Sequence, residues 1–196
     1  MVINICDKYT NGKISIYKFD NDKYNVKYSN KIFVMDPKIS FKNHKLNYNS
    51  NKDSYYMKFN FDMEKEKHIN FNNLIRDIYD DISECIELDD DINIFEIKNP
   101  ILKSINTNKP YIYSSINKGT QIINYSNDEK MEINTLKNKI YDCYPIFYSP
   151  NISIYDEKAY VNISLYKIYI NLKEYKEYDN ISYEPNKQEM KIIMEE

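Results

Sequence analysis

Hydrophobic and polar residues alternate with a period of two along most of this chain. Such alternation is typical of strands that bury one face, and the alternating segments are rich in the β-branched and aromatic residues that suit a pleated surface. The predicted strands are Lys13 to Phe19, Tyr24 to Tyr28, Ile32 to Met35, Lys38 to Phe41, Tyr55 to Phe61, Asp91 to Ile97, Pro110 to Ser115, Thr120 to Tyr125, Ile140 to Tyr148 and Lys158 to Leu172. The first two should form a hairpin, and a polar loop, Lys42 to Ser54, separates the fourth from the fifth.

One segment has the spacing of an amphipathic helix. Its apolar residues recur at intervals of three and four, and polar residues fill the opposite face. The apolar face consists of Phe71, Leu74, Ile75, Ile78, Ile82, Cys85 and Ile86, and the polar face of Asn73, Arg76, Asp77, Asp80, Asp81, Glu84 and Glu87. We expect this helix to pack against the sheet with its acids in water. A second, shorter helix or turn is predicted from Glu129 to Asn138.

The last predicted strand changes its apolar face partway along. The apolar positions are Ala159, Val161, Ile163 and Leu165 in its first half, and Ile168, Ile170 and Leu172, on the opposite parity, in its second half. A strand of this kind needs a β-bulge or a sharp bend, or it leaves one barrel wall and joins another. Small barrels of the OB type bend long strands in this way. We therefore predict a mainly β fold, an OB-like antiparallel barrel with one packed amphipathic helix.

Length and composition favour one folded domain. The 196 residues are 42% hydrophobic, which is enough for a single core. We predict a barrel domain over residues 1–172 and an acidic tail over 173–196. No apolar run approaches the roughly 18 to 20 residues that cross a bilayer, and Met1 to Asp7 is too short and too acidic for a signal peptide. We expect an intracellular protein with no membrane contact.

Charge is unevenly distributed, although the net charge is only −3. Residues 1–60 carry 11 Lys and 5 acids, whereas residues 61–99 carry 12 acids and 4 Lys or Arg. Residues 100–173 are basic again, and the tail is acidic. Such runs are consistent with solvated faces alone, and they also leave room for an anionic partner.

Most groups that carry enzyme chemistry are missing. The two histidines, His44 and His68, are far apart in the chain and belong to no metal-binding or catalytic motif, so we expect both at the surface. Gly12 and Gly119 are the only glycines, so no glycine-rich phosphate loop can form. We predict that the protein is not an enzyme and takes no cofactor.

A metal site is also not expected. The run Asp89 to Asp91 has the oxygen ligands that Mg²⁺ or Ca²⁺ prefers, but it lacks the spacing of a calcium-binding loop and is more typical of a polar connector. A nuclease that uses this run is the weakest of the alternatives. Cys6, Cys85 and Cys143 fit no zinc spacing and are expected to be reduced structural thiols.

The remaining signal is an interleaving of lysines with tyrosine and phenylalanine. The chain has 21 Tyr and 8 Phe. Binding a single strand without reading its sequence requires cations along the phosphates and flat rings on which bases stack. Three sets combine both. The first is Lys38, Phe41, Lys42, Lys45, Tyr48, Lys52, Tyr55 and Lys58; the second is Tyr111, Tyr113 and Lys118; the third is Phe147, Tyr148, Tyr160, Tyr166, Lys167 and Tyr169. For any single tyrosine, a barrel position with a wet hydroxyl is the alternative.

Three segments resemble the single-stranded DNA-binding protein of poxviruses. They are KIFVMDPKISFKNHKLNYNSNKDSYYMKFNF followed by NNLIRDIYD, then KPYIYSSINKG, then YPIFYSPNISIYDEKAYVNISLYKIYI. Their order also agrees with that family, and together they cover about residues 30–172. Two features depart from it. The long acidic tail of the family is represented only by residues 174–196, and the helical stretch before Pro145 is abbreviated.

The resemblance implies a viral replication protein. Such a protein has an OB-like barrel, coats single-stranded DNA with little sequence preference in the host cytoplasm, and contacts other replication proteins, among them a ribonucleotide reductase subunit. Cooperative or homo-oligomeric assembly is part of this expectation. The alternative is a viral β-sandwich that binds a host protein through a tyrosine patch.

Overall fold

The computed structural model describes residues 2–6, 8–20, 22–51, 53–87, 92 and 94–172. Three expectations fall on residues outside this part. They concern the acidic tail at 173–196, the run Asp89 to Asp91, and the candidate site residue Lys52. No helix in the described part combines the length with the apolar character needed to cross a membrane.

Strands make up most of the regular secondary structure in the described part, and one long helix packs on them. The strands are Ile3–Asn4 (β1), Ile14–Asp20 (β2), Lys23–Tyr28 (β3), Phe33–Met35 (β4), Phe41–His44 (β5), Asn47–Asn49 (β6), Ser54–Asn60 (β7), Glu96–Lys98 (β8), Leu102–Lys103 (β9), Pro110–Ile116 (β10), Gln121–Asn124 (β11), Tyr141–Tyr148 (β12), Asn151–Tyr155 (β13) and Lys158–Leu172 (β14). The helix is Glu66–Glu87 (α1), and a short 3-10 turn covers Ile133–Leu136 within the second predicted helix.

The strand predicted from Lys38 to Phe41 is wrong. Lys38 has a φ of 54°, in the left-handed region, so the backbone turns there and β5 starts only at Phe41. The segment predicted as a polar loop contains the rest of β5 and all of β6. Of the strand predicted from Asp91 to Ile97, the described residues Ile92, Ile94 and Phe95 are not in a strand, and β8 starts at Glu96. Side-chain periodicity missed β5 and β6 because they are only four and three residues long.

β14 is the central strand. Its first half pairs with β13 and β8, its middle with β10, and its second half with β12 and β11. The sheet extends outward from there to β3 and β2 on one side and to β7 and β6 on another. Most pairs are antiparallel, and β1–β4, β8–β14, β10–β14 and β11–β14 are parallel.

The predicted irregularity in β14 is confirmed. The β12 residues Ile146 and Phe147 are adjacent, but they pair with Lys167 and Leu165, so Tyr166 is the extra residue of a bulge. The bulge lies where the apolar parity changes and where β14 passes from one group of neighbours to the other. A bulge of this kind restores the inward direction of the apolar side chains after the parity change.

The fold class is confirmed as mainly β with one packed amphipathic helix. Strand pairing in the described part does not close into a continuous ring, so the barrel is partly open, as OB-like barrels are. α1 packs over the core, where the ring of Phe71 stacks on Phe147 of β12 with centroids 5.2 Å apart. The helix begins one turn before its predicted apolar stripe, at Glu66.

Two expectations about polar side chains are wrong. Asp81 of α1 does not face water, because its Oδ2 accepts hydrogen bonds from the Tyr9 hydroxyl at 2.6 Å and from the Gly12 amide at 2.8 Å. Both histidines are buried, at 8% and 6% exposure for His44 and His68. Their rings pack against Phe41, with centroids 5.7 and 5.1 Å from it. Neutral imidazole rings can join an aromatic core in this way.

Candidate nucleic-acid interface

The outer face of the β7–β10 strand pair carries a cluster of tyrosines and a lysine. Along β7, Met57 and Phe59 point into the core, so Tyr56 and Lys58, which alternate with them, point outward. The antiparallel register places Lys58 opposite Tyr113 and Tyr56 opposite Ser115. We call Tyr56, Lys58, Tyr111 and Tyr113 the β7–β10 patch. It unites part of the first and second predicted sets.

The geometry of the β7–β10 patch suits a stacked ligand that carries negative charge. Lys58 Nζ lies 3.9 Å from the centroid of the Tyr111 ring, within cation–π range. The Tyr113 ring is in edge contact with both Tyr56 and Tyr111, at centroid distances of 5.4 and 5.3 Å. Tyr113 is 41% exposed, so a flat ring surface remains open to solvent. These contacts fix the conformations of the tyrosine side chains. A base that stacks on them would therefore cause little further loss of side-chain conformational entropy.

A second cluster lies on the outer face of β14 and β12. The bulge turns the consecutive residues Tyr166 and Lys167 away from the core, and Tyr169 follows on the same face. The Tyr148 ring of β12 lies 5.8 Å from the Tyr166 ring, tilted by 33°. Lys167 Nζ lies 5.6 Å from the Tyr169 centroid. We call Tyr148, Tyr166, Lys167 and Tyr169 the β14 stripe; all four belong to the third predicted set.

A cleft of about 420 Å³ continues the β14 stripe. One side is formed by the stacked rings of Tyr125 and Tyr144, 4.9 Å apart with an interplanar angle of 18°. Tyr169 and Lys38 also line the cleft. Sequence reasoning missed Tyr125 and Tyr144, and it also missed Tyr56. The strand alternation around Lys58 could have identified Tyr56, but no local signal pairs Tyr125 with Tyr144.

The β7–β10 patch and the β14 stripe lie on the same face of one sheet. Ser115 of β10 pairs with Ser164 of β14 in parallel register. Tyr113 lies two residues before Ser115 and Tyr166 two residues after Ser164, so alternation puts both rings on the face of the two serines. At about 3.3 Å per residue and 4.8 Å between strands, they are roughly 14 Å apart.

Two candidate residues are corrected by their burial. Phe41 and Phe147 are only 2% and 0% exposed, and neither ring is accessible to a base. Phe41 packs against Phe59 with centroids 5.0 Å apart, and Phe147 stacks on Phe71 of α1. Both are inward positions of their strands, and their large apolar rings are most stable in the core.

Two candidate lysines have their charge compensated. Lys38 pairs with Asp36, and Lys42 Nζ lies 3.0 Å from Oδ2 of the buried Asp142. The hydrogen bond to the neighbouring carboxylate raises the pKa of each lysine. An approaching phosphate therefore meets an ion pair at these positions. Lys45 and Lys118 are exposed.

Two of the remaining candidates, Tyr48 and Tyr55, lie on the opposite face of the sheet, and Tyr160 lies on the outer face. Tyr48 pairs with Tyr55, and their rings lie 5.0 Å apart on the face of β6 and β7 opposite to the β7–β10 patch. The Tyr48 hydroxyl donates to Asp53 Oδ1 at 2.5 Å. Tyr160 is exposed on the outer face of β14, in register with Lys98 of β8. The first predicted set therefore does not form one surface.

The described residues contain no group of three His, Cys, Asp or Glu side chains placed to hold a metal ion. The three cysteines are reduced, and burial raises the pKa of Cys85, which favours the protonated form of its thiol.

No protein-family model matches the chain, and no curated protein matches it. Three structures of a single-stranded DNA-binding protein from bacteriophage Enc34 are similar to it. A C-terminal truncation is 10% identical over 83% of this chain and 97% of its own, with a TM-score of 0.46. The complex with single-stranded DNA is 10% identical over 84% and 98%, with a TM-score of 0.44. A third is 11% identical over 83% and 92%, with a TM-score of 0.45.

These likenesses are too weak to argue what the chain binds, since all three TM-scores are below 0.5. None of them bears on the poxviral family in particular, and the sequence resemblance to that family stays a prediction. The case for a ligand rests on the outer face of the sheet.

Proposed function

We propose that this chain binds single-stranded DNA on the outer face of its sheet, with little sequence preference and without an enzymatic step. The observation that carries the proposal is that two separate Lys–Tyr clusters, the β7–β10 patch and the β14 stripe, share one face and are joined through the Ser115–Ser164 pair. Two stacking platforms on one face suit a flexible polymer of bases better than a single small ligand.

The chemistry of this face fits the two needs of a single strand. Tyrosine rings accept any base, since every base has a π-face, and each stacked base contributes about 1–3 kcal/mol. Lys58 and Lys167 supply cations next to those rings, where the phosphates that flank a stacked base would lie. Binding should therefore weaken steeply with salt, because each neutralised phosphate releases counterions.

Fluorescence anisotropy with a labelled oligothymidine tests the proposal. Wild-type protein should bind at micromolar concentration in low salt. Tyr113→Ala and Tyr166→Ala should each weaken binding by about 5- to 150-fold, the loss of one stacked base. Phe95→Ala is the matched control, because Phe95 is an aromatic side chain at 85% exposure beside the acidic helix, and its removal should leave the affinity unchanged.

Two results would count against the proposal. The absence of any anisotropy change for wild-type protein at low salt would exclude it, and equal effects of Phe95→Ala and Tyr113→Ala would show non-specific attraction. A shortening of the oligonucleotide that requires Mg²⁺ would instead indicate a nuclease.

The finer part of the proposal is a role in viral DNA replication in the host cytoplasm, with cooperative assembly and contacts to replication proteins such as a ribonucleotide reductase subunit. Its support is the sequence resemblance to the poxviral family. Tagged protein in infected cells should collect at cytoplasmic replication sites and co-purify with that subunit after nuclease treatment; a nuclear or diffuse distribution with no such partner would contradict this part alone.

A further inference from the structure

The β2–β3 hairpin repeats the Lys–Tyr geometry of the β7–β10 patch, on a part of the sheet where no site residue was predicted. Lys27 Nζ lies 4.0 Å from the centroid of the Tyr17 ring. The Tyr17 hydroxyl donates to Asn30 Oδ1 at 2.7 Å, which holds the ring in place. Tyr17 is 39% exposed, so this ring is also open to a ligand. We call Tyr17 and Lys27 the hairpin pair.

Strand register connects the hairpin pair to the β14 stripe. Tyr17 of β2 pairs with Asn25 of β3, Asn25 with Asn151 of β13, and Asn151 with Asn162 of β14. We call Asn25, Asn151 and Asn162 the asparagine row. Tyr24, Val26, Ile152 and Val161 are the buried residues adjacent to this row, so the row itself faces outward. Asn162 lies four residues before Tyr166, on the same parity and therefore on the same face.

The asparagine row is polar and uncharged. Asn162 Nδ2 donates to Asn151 Oδ1 at 3.3 Å and to Ser153 Oγ at 3.1 Å. An exposed amide offers both a donor and an acceptor, and such groups bind the edges of bases and the oxygens of phosphates. Amides of this kind are suited to the passage of a nucleic-acid strand between two stacking platforms.

Among the described residues of the rows on either side, the one acidic side chain is Asp20, at the β2 end of its row. One pairs Ser15 with Lys27, and the other runs through Lys23, Ser153, Tyr160 and Lys98. Acids lie at the two ends of this region, where Asp20 pairs with Lys23 at 3.3 Å and Glu96 with Lys98 at 2.8 Å. A polyanion can therefore cross from β14 to β2 without lying on a carboxylate.

The distance between the hairpin pair and the β14 stripe makes them two separate contact sites. Three strand spacings separate β14 from β2, about 14 Å, and four residues separate Tyr166 from Asn162 along β14, about 13 Å. The straight path from the β14 stripe to the hairpin pair is roughly 20 Å. A strand that occupies both the β7–β10 patch and the β14 stripe must follow a path of roughly 34 Å, 14 Å plus 20 Å, to reach Tyr17 as well, so a short oligonucleotide that fills both clusters ends before the hairpin.

We propose that the hairpin pair is a second contact site for single-stranded DNA, reached across the asparagine row and used only by strands long enough to span both sites. This inference rests on the proposed function. It gives the protein a longer footprint than the β7–β10 patch and the β14 stripe provide, with a length threshold for full affinity.

Binding of a short and a long oligothymidine tests it, at about 6 and about 16 nucleotides, near the two ends of the range seen for OB folds. The double variant Tyr17→Ala/Lys27→Ala should weaken binding of the long oligonucleotide at least about fivefold, the loss of one stacked base, and lower its salt dependence by about one phosphate contact. The short oligonucleotide should bind as it does to wild type.

Two further variants separate a binding effect from a folding effect. Asn162→Asp is nearly isosteric and exposed, and it places a carboxylate in the asparagine row, so it should weaken only the long oligonucleotide. Tyr17→Phe keeps the ring and loses only the hydroxyl that donates to Asn30, so it should retain long-strand affinity.

The outcomes are distinguishable. If wild-type protein binds both lengths and the variants change neither, the second site does not exist, and the proposed function stands. If the variants weaken both lengths equally, the hairpin belongs to the primary site and the length threshold is wrong. If wild-type protein binds neither length, the proposed function itself fails.

Discussion

The outer face of the sheet and the outer face of α1 have opposite chemistry. Over its 22 residues α1 carries six acids against Lys67 and Arg76, and apart from Asp81 its acids project from the core. The sheet face presents tyrosines, asparagines and lysines, and in its described cross-strand rows between β2 and β14 the one carboxylate is Asp20, which is paired with Lys23. A net charge of −3 therefore conceals two surfaces of opposite sign. Net charge is a poor guide to an anionic partner, because a ligand meets one face and not the average.

The largest expected effect distinguishes the core side of the sheet from its outer side at two adjacent residues. Phe147→Ala should lower the free energy of unfolding by about 3–5 kcal/mol, since it removes a fully buried ring that stacks on α1. Tyr148→Ala should cost much less stability and should instead weaken DNA binding. Urea unfolding and anisotropy measured on both variants check this, and equal losses of stability would show that the two faces are not separated as described.

The second effect concerns pH and the two histidines between the sheet and the helix. Burial lowers the pKa of His44 to about 4, partly opposed by the nearby Asp142 carboxylate, and burial also lowers the pKa of His68. The unfolded state then binds more protons, so stability is full above about pH 6.5 and falls as the pH drops toward 4, by roughly 3 kcal/mol for His44.

Unfolding free energies measured across this pH range test that statement. His44→Phe should flatten the pH dependence if the packed ring itself is accommodated. A variant that is as pH-sensitive as wild type would assign the effect to another group, above all His68, whose pKa is also lowered by burial.

The third prediction reverses charge on each face in turn. Lys58→Glu combined with Lys167→Glu should weaken single-strand binding on the order of 100-fold at low salt, because two cations beside stacking rings become anions. Lys67→Glu makes the same change on the exposed side of α1 and should leave binding nearly unaffected. Comparable losses from both changes would mean that the protein responds to total charge, and the distinction between the faces would disappear.

The smallest effect lies on the helix side. Tyr9→Phe removes the hydrogen bond from the Tyr9 hydroxyl to Asp81 and should cost about 1–3 kcal/mol of stability, a typical contribution of a hydrogen bond to a charged group. Burial raises the pKa of Tyr9, and the hydrogen bond to Asp81 and its charge raise it further, so the hydroxyl stays protonated as a donor. Thermal unfolding should show the loss while oligonucleotide affinity stays constant; a change in affinity would connect the helix side to the binding face.

Local periodicity predicted much of the fold. It located most long strands, the amphipathic helix and the parity change in β14 that proved to be a bulge at Tyr166. These features are readable because burial imposes a repeat of two or 3.6 residues on the side chains themselves. It failed at β5 and β6, which are too short to show a repeat, and at Lys38, whose backbone conformation depends on its surroundings.

The candidate site was predicted only in part, since a sequence pattern does not say which lysine has an acid beside it. Lys42 and Asp142 are 100 positions apart in the chain, but Lys42 Nζ lies 3.0 Å from Asp142 Oδ2 in the structure. Tyr125 and Tyr144 form a ring stack that the residues next to either of them in the chain do not predict. Phe41 and Phe147 followed the Lys–aromatic pattern but lie in the core.

The sequence by itself determined the strand content, the helix, the bulge and the abundance of lysine and tyrosine, since each is a property of residues close together in the chain. Only the tertiary structure decided which tyrosines share an outward face and which lysines have a carboxylate beside them. It also decided that Asn25, Asn151 and Asn162 form one row. The reason is physical: these groupings depend on the register of strands far apart in sequence, and register is set by how all the inward faces pack at once.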